Sequence, residues 1–132
     1  MENKERQKTK LCLLRDIFRS IREFEISFQE NHDLCLNEGM AVCSLKYGRM
    51  SSSDLAEKLG LSASNMSKVI KSVEDKGLIK RHMGKEDKRQ MYFMLSKQGE
   101  EKLLQLSAEE SSIDSVLASI YDTEGSAVVG LP

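Results

Sequence analysis

The chain has 132 residues, 39% of them hydrophobic, with a formal net charge of −1, enough for one modest core. It holds no apolar run of membrane-spanning length, and the charged opening Met1-Glu2-Asn3-Lys4-Glu5-Arg6 leads into no signal-peptide core, so a cytoplasmic chain with no membrane partner is expected. The near-neutral total hides an uneven distribution: Lys46 to Gln90 carries eleven Lys/Arg against six Asp/Glu, a surplus of +5, and the flanks sum to −6, which is the footprint of a basic reading head with other surfaces for other partners.

The first element is a long helix over about Glu5 to Gln29. Leu11, Leu14, Phe18, Ile21 and Phe28 recur at helical spacing, Leu13, Ile17 and Phe24 widen the stripe, and charges fill the other faces. So broad an apolar stripe on a terminal helix requires a partner surface. Glu30-Asn31-His32-Asp33 reads as a polar turn. Asn37 is the expected cap of a short helix, Glu38 to Tyr47, apolar on most sides and hence buried, and Gly48 ends it. Arg49-Met50 is a candidate short third strand.

From Met50 the pattern tightens. Ser51 to Ser53 offer N-caps for a helix over Ser53–Leu59, and Gly60 stands where the chain must leave that helix, a place for positive φ. Ser62 caps a second helix that runs to Lys76 and is closed by Gly77. Two helices joined by so short a Gly-containing turn form a helix-turn-helix. In the second, Met66, Val69, Ile70 and Val73 recur at i, i+3, i+4 and i+7 and face inward. Ser64, Asn65, Ser67, Lys68, Lys71 and Ser72 lie on the opposite side. Ammonium groups neutralise phosphates, and Asn and Ser reach base edges, so this face suits the DNA major groove. A generic solvated helix face has similar chemistry, and for an isolated helix it is the commoner explanation.

The residues beyond Gly77 decide between these two explanations. Leu78 to Met83 reads as a strand, Gly84-Lys85-Glu86-Asp87-Lys88 as a charged loop, and Arg89 to Leu95 as the returning strand with Met91, Phe93 and Leu95 on one side. A hairpin directly after a helix-turn-helix is a wing, and Lys85, Lys88 and Arg89 at its tip have a role beside a duplex. Ser96 then caps a helix with Leu103, Leu104 and Leu106. Ile113, Val116, Leu117 and Ile120 form a further helical stripe. The Glu109-Glu110-Ser111-Ser112 cluster fits a break between two helices, and the near-heptad spacing fits one kinked helix equally well. The tail from Asp122 to Pro132, with two glycines and no periodicity, is expected to fray.

The run from Leu55 to Leu103 resembles the MarR family of bacterial winged-helix transcriptional regulators. The matching residues are Leu55-Ala56, Leu59-Gly60-Leu61-Ser62, Ser67, Lys76-Gly77-Leu78-Ile79, Asp87-Lys88-Arg89 and Leu95-Ser96-Lys97-Gln98-Gly99. The resemblance covers about Leu36 to Leu104, and the flanking helices match by pattern only. It implies a mainly α fold with a small β-hairpin wing, in which residues 36–95 form the winged helix-turn-helix. The helices at about 5–30 and 97–121 would form a dimer interface across a two-fold axis. It also implies that Asp87 braces Arg89, which enters the minor groove, with Lys88 where an Arg is more usual. Ala63 and Asn65 depart from the larger or β-branched residues common in the recognition helix, so no operator sequence carries over.

The expected function is a homodimeric, sequence-specific regulator on palindromic double-stranded DNA, a repressor by preference. Ser62, Ser64, Asn65, Ser67, Lys68, Lys71, Lys85, Lys88 and Arg89 would contact DNA. Family members often bind small apolar or phenolic effectors between the dimer helices and the reading heads, and Phe18, Met40, Cys43 and Tyr47 are candidates for such a pocket, although a core role is the commoner one for each. Cys12 lies where peroxide-sensing relatives carry a reactive thiol, and its plainer role is that of a small apolar residue. The three cysteines (Cys12, Cys35, Cys43) cannot all pair within one chain and are expected to be reduced. His32 and Cys35 beside Asp33 and Glu30 are too few for a metal site. No cofactor is implied. No nucleophile-base constellation or phosphate loop supports an enzyme. The closest rival is a winged helix that binds protein rather than DNA, and the +5 centre argues against it.

Overall fold

A computed structural model describes residues 9–87, 89–108 and 110–121. Residues 1–8, which include part of the expected first helix, Lys88, Glu109 and the tail from Asp122 lie outside these residues, as do the side chains of 110–112 and 119–121, including that of Ile120. The order is α1 (Lys10–His32), α2 (Leu36–Ser44), a 3-10 turn (Leu45–Tyr47), β1 (Met50–Ser51), α3 (Ser52–Leu59), α4 (Ala63–Asp75), β2 (Ile79–Met83), β3 (Met91–Leu95), α5 (Lys97–Ser107) and α6 (Glu110–Tyr121). It is a mainly helical winged helix-turn-helix, as expected.

The core lies where α2, α3 and α4 meet the sheet. Val42, Leu55, Met66 and Val73 are fully enclosed, with Leu45, Ile70, Leu78, Ile79 and Phe93 around them. Burying each such side chain contributes about 1.5–3 kcal/mol, so this cluster supplies most of the force that sets the head's geometry. The sheet has the order β1-β3-β2, antiparallel throughout, with Met50 opposite Phe93 and Arg81 opposite Phe93 on its other side. The third strand is therefore real, although it covers Met50–Ser51 rather than Arg49–Met50.

Several helix boundaries differ from expectation. α1 begins at Lys10, capped by Thr9, and continues through Glu30–His32, the stretch expected as a polar turn, to Asp33; α2 ends at Ser44, where a 3-10 turn takes over. α2 begins at Leu36, capped by Cys35 and not by Asn37. Asn is the better intrinsic cap, but here the Glu38 carboxylate accepts the Cys35 N–H at 2.8 Å, and burial of Leu34 draws the chain inward just before the helix. Asp33 at the preceding corner takes a left-handed conformation, φ 56°. Beyond the wing, the described residues form two helical segments, with a turn at Ala108 and residues 110–112 already helical.

α1 packs against α6 and reaches α2. Phe28 is buried, but most of the α1 stripe is not: Leu11 is 76% and Phe18 58% exposed, Leu14 and Ile21 are also open, and so are Ile113 and Leu117 on α6. The expected stripe exists, and among the described residues its Leu11, Leu14, Phe18 and Ile21 are left exposed.

Candidate nucleic acid interface

The reading helix is built as its sequence directs. Ser51 and Ser62 cap α3 and α4, accepting the N–H groups of Asp54 and Asn65, each at 3.1 Å. Gly60 between them has φ +71° and Gly77 after α4 has φ +78°, a region that a side chain makes costly. Met66, Ile70 and Val73 are buried and Val69 half-buried, so Ser64, Asn65, Ser67, Lys68 and Lys71 all emerge on the solvent side. Lys71 makes a loose i, i+4 ion pair with Asp75 at 3.6 Å, which is worth only a few tenths of a kcal/mol. Both lysines are thus available to a polyanion.

Ser72 does not belong to that face. It is half-buried, and its hydroxyl donates to the Oε2 atom of Glu38. Helical angle placed it near the outward residues, but α2 packs over this edge of α4 and gives the hydroxyl a partner that periodicity cannot reveal.

The wing tip closes through Gly84 N–H to the Gln90 carbonyl at 2.9 Å and Gln90 N–H to the Asp87 carbonyl at 3.0 Å. Asp87 Oδ1 accepts from the Arg89 backbone N–H at 3.0 Å and from its Nε at 3.3 Å. The Arg89 side chain is nonetheless 92% exposed. Its guanidinium is therefore oriented at its root and open at its end, the bracing expected of Asp87. Lys85 is exposed on the same loop; Lys88 lies outside the described residues. Arg49, not singled out as a binding residue from sequence, lies over the Tyr92 ring at 4.5 Å and borders a cleft of about 530 Å³ with Gly84, Lys85 and Asp87. No periodic signal marks a lone Arg before a two-residue strand.

The wing is fixed to the reading helix by polar groups the sequence did not disclose. Arg81 on β2 makes a two-pronged pair with Glu74 on α4, 2.7 Å and 3.1 Å, which holds the Arg81 guanidinium in its charged form. The Ser96 hydroxyl donates to the Gly77 carbonyl at 2.6 Å and accepts the Gly99 N–H at 3.0 Å. At Gly99 an added Cβ would run into the Leu78 carbonyl, which is why the Leu95–Gly99 motif ends in glycine.

A separate cleft of about 380 Å³ lies between α2, the 3-10 turn and α3, lined by Met40, Cys43, Ser44, Tyr47, Lys58 and Leu59. Three of the four residues expected to share an effector pocket meet there. Phe18 does not line it: it lies on the exposed stripe of α1, because the shared apolar character of these residues came from two different surfaces. Burial raises the Cys43 thiol pKa, against the opposing charge of Lys46. Cys12 is half-buried in the first turn of α1, its N–H bonded to the Thr9 hydroxyl at 3.2 Å. Among the described residues no group of three or more His, Cys, Asp or Glu side chains could hold a metal, and no helix is long and apolar enough to cross a membrane.

The MarR family model matches residues 42–91, the span from α2 to the first residue of β3. Among solved structures, the chain is similar to MepR of S. aureus in a complex with DNA, at 20% identity and TM-score 0.74, covering 89% of this chain and 88% of that one. It is also similar to the transcriptional regulator BldR of Sulfolobus solfataricus (22%, TM-score 0.71, 87% and 86% covered). The adhesin competence repressor AdcR of Streptococcus pyogenes shares the fold as well (18%, TM-score 0.66, 89% and 88% covered). No curated protein matches the chain significantly. The family model thus matches the helix-turn-helix and the first strand of the wing, and the winged-helix fold of these regulators is shared over nearly nine-tenths of the chain.

Proposed function

We propose that the protein is a homodimeric, sequence-specific DNA-binding repressor that acts in the cytoplasm. The observation that carries this reading is the shared exposure of two cationic elements. The outward side of α4 (Ser64, Asn65, Ser67, Lys68, Lys71) and the wing tip (Lys85 and the Asp87-braced Arg89) are both open to solvent. Ser62 caps the reading helix, and Lys88 completes the tip by sequence. Residues 36–95 are the head, and α1 with α5 and α6 are the dimerisation helices. A second copy would cover the exposed Leu11, Leu14 and Phe18 face, and two heads would then read half-sites of a palindrome about one helical turn apart. The MepR structure, solved with DNA, supports the polyanion partner, and the repressor AdcR supports the sign of regulation.

Selection of bound duplexes from a random pool tests this reading. A palindromic consensus, retained by the protein's own upstream region in a gel shift, is the expected result. A protein that ignores DNA at low salt and stays monomeric would leave the protein-binding winged helix as the answer.

The cleft at Met40, Cys43 and Tyr47 supports a small apolar or phenolic effector, since its apolar walls have one cation, Lys58, at the rim. Repeating the selection with candidate phenolic ligands tests this. Oxidant control through Cys12 is the weaker alternative, and organic hydroperoxide that leaves DNA affinity unchanged, or changes it equally in Cys12→Ser, dismisses it.

A further inference from the structure

The inward edge of the reading helix carries a polar cluster that the DNA-facing residues do not use. Glu38, at the start of α2, is 5% exposed and the one buried charged residue among those described. Its Oε2 takes the Ser72 hydroxyl. Its Oε1 takes the Cys35 N–H at 2.8 Å and the Lys76 ammonium at 3.2 Å. Lys76 donates in addition to the Asp33 carbonyl at 2.6 Å, and Lys102 of α5 to the neighbouring His32 carbonyl at 3.3 Å. Lysines from the reading helix and from α5 therefore cap the carbonyl end of α1, where cations are favoured by the helix dipole.

Apolar contacts alone would not need this. A buried carboxylate is costly unless its partners are well placed, and a non-polar residue could fill the volume. What the carboxylate adds is direction: Ser72 in α4 and Lys76, its C-cap, lie one turn apart, so two bonds to one rigid group fix the rotation and the axial position of that helix against the end of α1. Apolar ridges resist such slippage far less specifically.

We infer that Glu38, with Ser72 and Lys76, is the positioning device that sets the pose of the reading helix relative to the dimerisation helix, and hence the register of the two heads on DNA. The inference rests on the DNA-reading function proposed above. It assigns these residues no contact with DNA. Their loss should misplace base contacts in both heads while leaving the exposed cations, and so the phosphate attraction, intact.

The test compares affinity for a duplex selected by the wild-type chain with affinity for a shuffled duplex of the same composition, over a series of salt concentrations. Glu38→Gln and Lys76→Met should lower the selected-to-shuffled ratio by about tenfold, the worth of roughly one misplaced base contact. Affinity for the shuffled duplex and the salt slope should not change. Lys76→Arg, which keeps the cation, should retain the ratio. Ser72→Ala is the milder variant, expected to fold and to show a smaller loss of the same kind. A role confined to stability would lower the melting temperature and leave the ratio of the folded protein untouched, which overturns the inference. A salt slope reduced by about one in Lys76→Met would overturn it also, by making Lys76 a phosphate contact. A wild-type chain with no preference among duplexes removes the DNA reading and this inference together.

Discussion

The two sides of α4 make opposite use of similar residues. Toward solvent, Ser64, Asn65, Ser67 and Lys68 have no ion pair or side-chain bond with any described residue, and Lys71 has only its loose pair with Asp75. Toward the protein, Ser72, Glu74 and Lys76 each have a specific partner: Glu38, Arg81, and both Glu38 and the Asp33 carbonyl. Serine and lysine occur on both sides, so composition does not separate reading from holding. The neighbours do. A helix that must present polar groups to DNA leaves them without internal partners, and its stability comes from the buried Met66, Ile70 and Val73 and from the bonded edge.

The largest disturbance should come from the holding side. Gly99→Ala places a Cβ against the Leu78 carbonyl, and since that backbone is fixed by Ser96, the variant should lose about 3 kcal/mol of stability, read from denaturant unfolding. Arg89→Ala should act on the reading side alone. Operator affinity should fall by about 1–3 kcal/mol in a titration at fixed salt with the melting temperature unchanged, and equal affinity would remove Arg89 from the interface.

Ser62→Ala touches both roles. It removes the bond to the Asn65 N–H and should cost about 1 kcal/mol of stability, with any loss of DNA affinity beyond that marking a phosphate contact. Glu38 gives a pH signature. Burial pushes its carboxyl pKa up, but the bonds from Ser72, Cys35 and Lys76 and the Lys76 charge outweigh burial and leave it below the ordinary glutamate range. A group lowered on folding stabilises fully above its unfolded pKa and loses that contribution as pH falls through the folded value. Acid unfolding should therefore be steeper in the wild type than in Glu38→Gln, and identical profiles would show the cluster contributes nothing. The smallest effect belongs to Lys71→Ala, which should reduce the salt slope of binding by about one and leave stability within a few tenths of a kcal/mol.

Much of this division was legible in the chain. Helical spacing identified the inward Met66, Val69, Ile70 and Val73 and the open Lys68 and Lys71, and the Ser and Gly positions marked the ends of α3 and α4, because caps and positive φ are local demands. The Asp87–Arg89 brace came from the family resemblance, and its two residues are near enough in sequence to find each other. Non-local partners were not legible. Ser72 groups with the DNA-facing residues in sequence because α2 cannot be placed against it, and nothing in the sequence marks Glu38, whose partners are 34 and 38 residues away. Phe18 was grouped with Met40, Cys43 and Tyr47 by apolar character, which does not say which surface a residue shares.

The central claim is that one cationic head, presented twice, reads both halves of a duplex. Hydroxyl-radical footprinting of the selected duplex tests it most directly. The account predicts two equivalent protected half-sites with centres about 10 base pairs apart, the flanking protection alone weakened in Arg89→Ala. A single unrepeated footprint, or protection that Arg89→Ala leaves unchanged, would contradict it.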